Sequence, residues 1–325
     1  MGDILSLAGK NLLTPMILSF VLGLFAAIAR SELSVPEAAA KMMSLYLLFA
    51  IGFKGGVAVA GHGMDGQLLA AMLGGVALSF AMPFLAYLLL RLLTPMSALD
   101  AAAVAAHYGS ISIVTFVTAI SVLSSQGIAH EGFMVAVAAA MEAPAIVSAL
   151  WLVARTGGGV TMDARLWREI LLNGSIVLLV GAFLIGAITG DAGMEKIAPL
   201  VVTGFQGVLC LFLLDMGLVA GRGLRGARGV IGFGAVAFGI IMPVLGAACG
   251  LAVALLVDLS PGGTALMMTL AASASYIAVP AAMRVALPEA NPSISLTLSL
   301  GITFPFNLTV GIPSYVSVAL ALTGG

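Results

Sequence analysis

Ten long apolar stretches fill most of the chain, at residues 13–29, 38–60, 68–93, 99–124, 132–154, 170–189, 197–220, 230–257, 264–285 and 293–322. Nothing else in the sequence constrains the fold as strongly. Roughly 20 apolar residues carry a helix across a bilayer, and a backbone inside hydrocarbon must satisfy its own polar groups. The pattern therefore predicts an all-α integral membrane protein of about ten transmembrane helices. Charged residues make up only 8% of the 325 and hydrophobic ones 61%, against roughly 25% charged in a soluble domain. No globule of this size hides so much apolar surface from water. The first stretch, after Lys10 and ending in Ala27-Ile28-Ala29, has the look of a signal peptide. It is kept as a helix because the internal symmetry below requires it.

Other classes are disfavoured in turn. A net charge of −1 gives no electrostatic basis for a nucleic-acid partner. Cys210 and Cys249 both lie in apolar stretches and form neither a disulfide framework nor a metal cage. No glycine-rich phosphate loop is followed by Lys-Ser or Lys-Thr, and His62, His107 and His130 are too scattered for a metal site. Asp215 lacks the second membrane aspartate that an intramembrane protease needs. The expectation is a non-enzyme without cofactor, driven by an ion gradient or by the substrate's own.

Orientation follows from basic residues. Arg30, Lys41, Arg91, Arg155, Arg165, Arg168, Arg222, Arg225, Arg228 and Arg284 follow odd-numbered stretches, whereas Lys10 and Lys196 lie on the other side. This places the loop between stretches 5 and 6 in the cytoplasm, with Trp151 and Trp167 as its interfacial flanks, and both termini outside the cell inner (plasma) membrane. Met82-Pro83 recurs as Met242-Pro243, Pro144 as Pro305, and Gly52 and Gly56 as Gly217 and Gly221, each about 160 residues on. Two five-helix halves, 1–155 and 169–325, thus meet at a linker, 156–168. Because five is odd, the second half enters the membrane inverted, the pattern of secondary transporters.

Stretches 4 and 9 have the wrong polarity for lipid. His107-Tyr108-Gly109-Ser110-Ile111-Ser112 leads to Thr115, and Ser273-Ala274-Ser275-Tyr276 leads to Pro280. Gly109 tolerates non-helical backbone and Pro280 frees carbonyls, so both helices are expected to break and cross. Helix N-termini, freed carbonyls and hydroxyls would then form an anion site beside a sodium site. Serines bonding back to their own helices are the alternative. Gly109, Ser110, Ile111, Ser112, Ser273, Ala274, Ser275 and Tyr276 are the substrate candidates. Ser112, Thr115, Glu142, Ser275, Thr303 and Asn307 are the sodium candidates, Asn307 serving either as a ligand or as a cap on backbone freed by Pro305. Buried charges are costly in a bilayer. Lys54 either snorkels or meets broken-helix carbonyls, Glu142 or the anion; Glu142 binds sodium or pairs with Lys54; Asp215 is expected to accept a structural hydrogen bond.

The run from Ala271 to Ile277, with Pro280, Arg284, the segment Pro288-Glu289-Ala290-Asn291-Pro292-Ser293, Tyr108-Gly109-Ser110 and Gly311-Ile312-Pro313, resembles the sodium-dependent bicarbonate permease family over nearly the whole chain. The resemblance implies a homotrimeric, elevator-type symporter with a core of helices 3–5 and 8–10 and a gate of helices 1, 2, 6 and 7. It also implies bicarbonate and sodium near Gly109, Ser110, Ser112, Ser273, Ala274, Ser275 and Glu142, and a PII-like regulatory protein at the cytoplasmic face. Other readings are a transporter of another small carboxylate, a sodium/proton antiporter and a passive channel.

Overall fold

The computed structural model describes residues 14–62, 66–155, 168, 172, 174–226, 232–276, 279, 283, 287 and 289–324. Of the residues named above, Lys10, Arg165, Trp167, Arg228, Ile277, Pro280, Arg284 and Pro288 lie outside them, as do the side chains of His62 and Arg155 and nearly all of the expected linker. The described residues are helical, without strands. They form α1 (Pro15–Ile28), α2 (Glu37–His62), α3 (Gly66–Leu93), α4 (Ala98–Ser125, in two pieces), α5 (Met134–Ala140 and Glu142–Arg155), α6 (Gly174–Ala198), α7 (Phe205–Gly226), α8 (Phe233–Val257), α9 (Pro261–Ala272) and α10 (Pro292–Thr323).

Seven helical runs among the described residues are long and apolar enough to span a membrane. The difference from ten has local causes. α6 and α7 fall in a single 49-residue run; α1 has 14 residues and α9 has 12, about 21 and 18 Å at 1.5 Å per residue. Large apolar side chains such as Ile188, Phe233 and Leu256 are more than four-fifths exposed, as lipid-facing residues of a multi-pass membrane protein would be.

Glycines seat the long helices against one another. A Cβ at Gly56 of α2 would lie 1.9 Å from the Phe183 carbonyl oxygen of α6, and one at Gly217 of α7 would lie 2.1 Å from that of Phe20 in α1. α2 thus packs on α6 and α1 on α7. The remaining helices pack around α3 and α8, whose internal prolines, Pro83 and Pro243, are buried. Pro144, by contrast, lies just past an interruption in α5, where Met141 separates the two pieces and its carbonyl accepts from Ser79 Oγ at 2.5 Å. Pro305 does not end α10; the helix continues through π-helical turns at Thr297–Thr303 and Asn307–Gly311.

Candidate functional site

α4 breaks in mid-course. Ala98–Gly109 stops where Ser110 turns extended (φ −88°, ψ 155°), and Ile113–Ser125 restarts from Ser112 (φ −98°, ψ 107°). Ser112 Oγ caps the new helix, accepting from the Thr115 amide at 3.2 Å and the Thr115 hydroxyl at 2.9 Å. Gly109 is demanded by its neighbours, since a Cβ there would come within 2.4 Å of the Pro83 ring and 2.8 Å of Ala145 Cβ.

α9 ends at Ser273, likewise extended (φ −85°, ψ 162°), and the chain stays non-helical to Tyr276. The two non-helical stretches lie against each other. The Ser112 amide donates to Ser273 Oγ at 2.8 Å, and the Ser275 amide to the His107 carbonyl at 2.7 Å. His107 Nδ1 stands 2.6 Å from the Ser275 carbonyl; a carbonyl only accepts, so Nδ1 carries the proton. The Ser273 hydroxyl itself donates to the Leu270 carbonyl at 2.9 Å.

α10 supports this crossing. Asn307 Nδ2 donates to the Ala272 carbonyl at 2.9 Å, while its Oδ1 accepts from the Tyr315 hydroxyl at 2.9 Å. Thr303 Oγ1 donates to the Gly239 carbonyl at 2.7 Å, so the Tyr108 hydroxyl, also at 2.7 Å, must be the donor to Thr303. Freed backbone at the α9 terminus is therefore satisfied by a side chain from the neighbouring helix.

Among the described residues, three buried polar groups here have no hydrogen-bond partner: Ser110 Oγ, the Tyr276 hydroxyl and Glu142 Oε2. The Tyr276 hydroxyl is directed at the Ser112 side chain without reaching hydrogen-bond geometry, and its ring stands edge-on to Phe304 at 5.5 Å. Glu142 opens the second piece of α5, one turn before the Ala145 that packs on Gly109. Unpaired buried polar atoms are uncommon because each forfeits hydration. Three of them around one helix break leave donors and an acceptor for a polar ligand.

The structure thus gathers Gly109, Ser110, Ile111, Ser112, Thr115, Ser273, Ala274, Ser275, Tyr276, Thr303 and Asn307 at one crossing, with Glu142 a turn away. Lys54 and Asp215 lie elsewhere. Lys54 Nζ sits over the Phe205 ring, 4.1 Å from its centroid, and pairs with no carboxylate among the described residues. The neighbour shown is thus an aromatic ring, where broken-helix carbonyls, Glu142, the anion and a snorkelling position were the alternatives; α2 turns this face toward the start of α7. Asp215 is buried in α7, and the charge acting on it is that of Arg222 two turns along. His107, Tyr108 and Tyr315 escaped notice in the sequence as working parts. His107 and Tyr108 stood directly before Gly109, whereas Tyr315 carried no local signal.

A membrane bundle in which helices break at mid-course and meet with polar groups left free has the construction of a transporter. The chain belongs to the Na+-dependent bicarbonate transporter superfamily, which it matches over residues 15–320. Among curated proteins no relative matches it. Membership makes it a transporter, not an enzyme, in a family devoted to sodium-dependent anion transport.

Proposed function

We propose that the protein is a sodium-coupled symporter of a small anion, bicarbonate being the anion best supported, with the substrate held where α4 and α9 meet. The observation that carries this reading is the pair of free hydroxyls, Ser110 from α4 and Tyr276 beyond α9, at the positive N-terminal end of the second α4 piece. Family membership supports the coupling ion and the anion class. Among the sodium candidates, Ser112, Thr115, Ser275, Thr303 and Asn307 are engaged in protein hydrogen bonds, so Glu142 retains the most oxygen for a cation. The same free carboxylate favours one second reading, sodium/proton antiport.

Matched helices support the inverted repeat. Ser97 and Ser260 cap the starts of α4 and α9, and Ser110 and Ser273 cap the ends of their 12-residue pieces, 163 residues apart in each case. Pairing of α1 with α7 and of α2 with α6 supports a gate of α1, α2, α6 and α7 beside a core of α3–α5 and α8–α10, the division an elevator motion would use. Inner-membrane location, outside termini, homotrimeric assembly and a PII-like partner belong to the same proposal.

Reconstitution in liposomes tests the reading. Labelled bicarbonate uptake should saturate and require an inward sodium gradient. Sodium-independent flux without saturation would mean a channel, and uptake absent under a sodium gradient but sodium efflux driven by protons would mean an antiporter.

A further inference from the structure

α4 and α9 start alike except at one residue. Each begins from a serine whose Oγ accepts the amide three residues on, Asp100 at 3.0 Å and Gly263 at 3.1 Å. An acid at this third position suits a helix start, because its charge meets the positive dipole end and it satisfies a free N–H. Asp100 stands there in α4, accepting the Ser97 hydroxyl at 2.7 Å and, from the start of α10, the Asn291 amide at 3.0 Å. α9 has glycine there.

The carboxylate missing from α9 comes from the segment leading into α5. Glu131 Oε1 accepts the Ser260 amide at 2.6 Å, and Oε2 accepts the Ser260 hydroxyl at 2.9 Å. Reaching the amide of the capping residue is what a third-position acid does in a capping box. A Cβ on Gly263 would lie 1.9 Å from Glu131 Oε2, and its three nearest atoms all belong to the Glu131 carboxylate. Gly263 therefore vacates the space that Glu131 occupies. Neighbouring His130 is half-buried, which pushes its pKa down, while the Glu131 charge beside it acts the other way.

We propose that Glu131 is a positioning residue for the transport site: it completes the cap that α9 lacks and so sets the place of the 12-residue rod whose far end carries residues 273–275. Two carboxylates of the first half, Asp100 and Glu131, then tie helix starts of the second half at α10 and α9. The inference rests on residues 273–275 being part of the transport site, but its test requires no substrate.

Moving the acid decides the matter. Hydrogen–deuterium exchange of the full-length protein in detergent, followed on peptides covering 107–115 and 273–276, reads the Ser112 and Ser275 amides that join the two stretches. Glu131→Ala should speed their exchange about tenfold, since a charge-assisted bond at a helix start is lost. Gly263→Asp alone should also speed it, because two carboxylates then contend for one space. Combined Glu131→Ala and Gly263→Asp should bring exchange back to within about threefold of the unmutated protein, the acid now standing as Asp100 does. Glu131→Gln keeps the shape and serves if the alanine variant does not fold; it should give a smaller acceleration. Faster exchange confined to residues 258–266 would overturn the positioning role, and a double variant no better than the worse single one would overturn the shared cap. Either failure leaves the proposed anion transport untouched.

Discussion

The two stretches that meet at the site are built from the same residues and use them differently. On the α4 side, Ser112 is consumed as a cap and Ser110 is left free; on the far side of α9, Ser273 and Ser275 are consumed in binding α4, and Tyr276 is left free. Three of the four serines hold the crossing together, Ser275 through its backbone amide and carbonyl, and one buried hydroxyl on each side, that of Ser110 and that of Tyr276, has no hydrogen-bond partner among the described residues. Hydroxyl count alone is therefore a poor guide to a binding site. What matters is which hydroxyls the fold leaves unpaired.

Substitutions can break or sharpen this contrast. The largest effect is expected at Gly109→Val, which drives atoms into the Pro83 ring and should cost about 3 kcal/mol, the upper range for overpacking; a melting temperature close to that of the unmutated protein would show that the break needs no glycine. Ser273→Ala removes the acceptor of the Ser112 amide and should destabilise by about 2 kcal/mol, the cost of an orphaned buried donor, even without ligand. Ser110→Ala and Tyr276→Phe should do the reverse, leaving the unliganded melting temperature unchanged while raising the KM for anion uptake about tenfold, the worth of one hydrogen bond to a charged ligand. Should either variant transport with unaltered KM, its hydroxyl is not a ligand contact. Lys54→Met is the mildest. It removes a cation–π contact and no ion pair, so the stability loss measured in detergent should stay below about 1 kcal/mol.

Much of the site could be read in the chain, and the parts that could not share a cause. Gly109, Ser110 and Ser112 announced an interruption because glycine and hydroxyls at mid-stretch disagree with lipid, and α4 is interrupted at 110–112. The position of Tyr276 was also evident, as the residue following Ser273-Ala274-Ser275. His107 holding Ser275 from 168 positions away, or Tyr315 holding Asn307 across a π turn, was not, because those partners are fixed by how α4, α9 and α10 pack. Lys54 shows the same limit. Its burial in an apolar stretch was plain, yet its neighbour, Phe205, depends on how α2 meets α7.

Solvent preference is a local property, so the sequence by itself determined that this chain lives in a membrane, forms helices there and interrupts them where polar residues and glycine cluster. Each stretch carries its own transfer free energy and backbone freedom, and no neighbour is needed to express them. Which polar groups pair and which stay free is a property of proximity. Ser110 and Ser112 are chemically alike and two residues apart; the Ser112 hydroxyl is taken locally by Thr115, but only the packing of α4 against α9 brings Ser273 to the Ser112 amide and leaves Ser110 Oγ buried without a partner among the described residues.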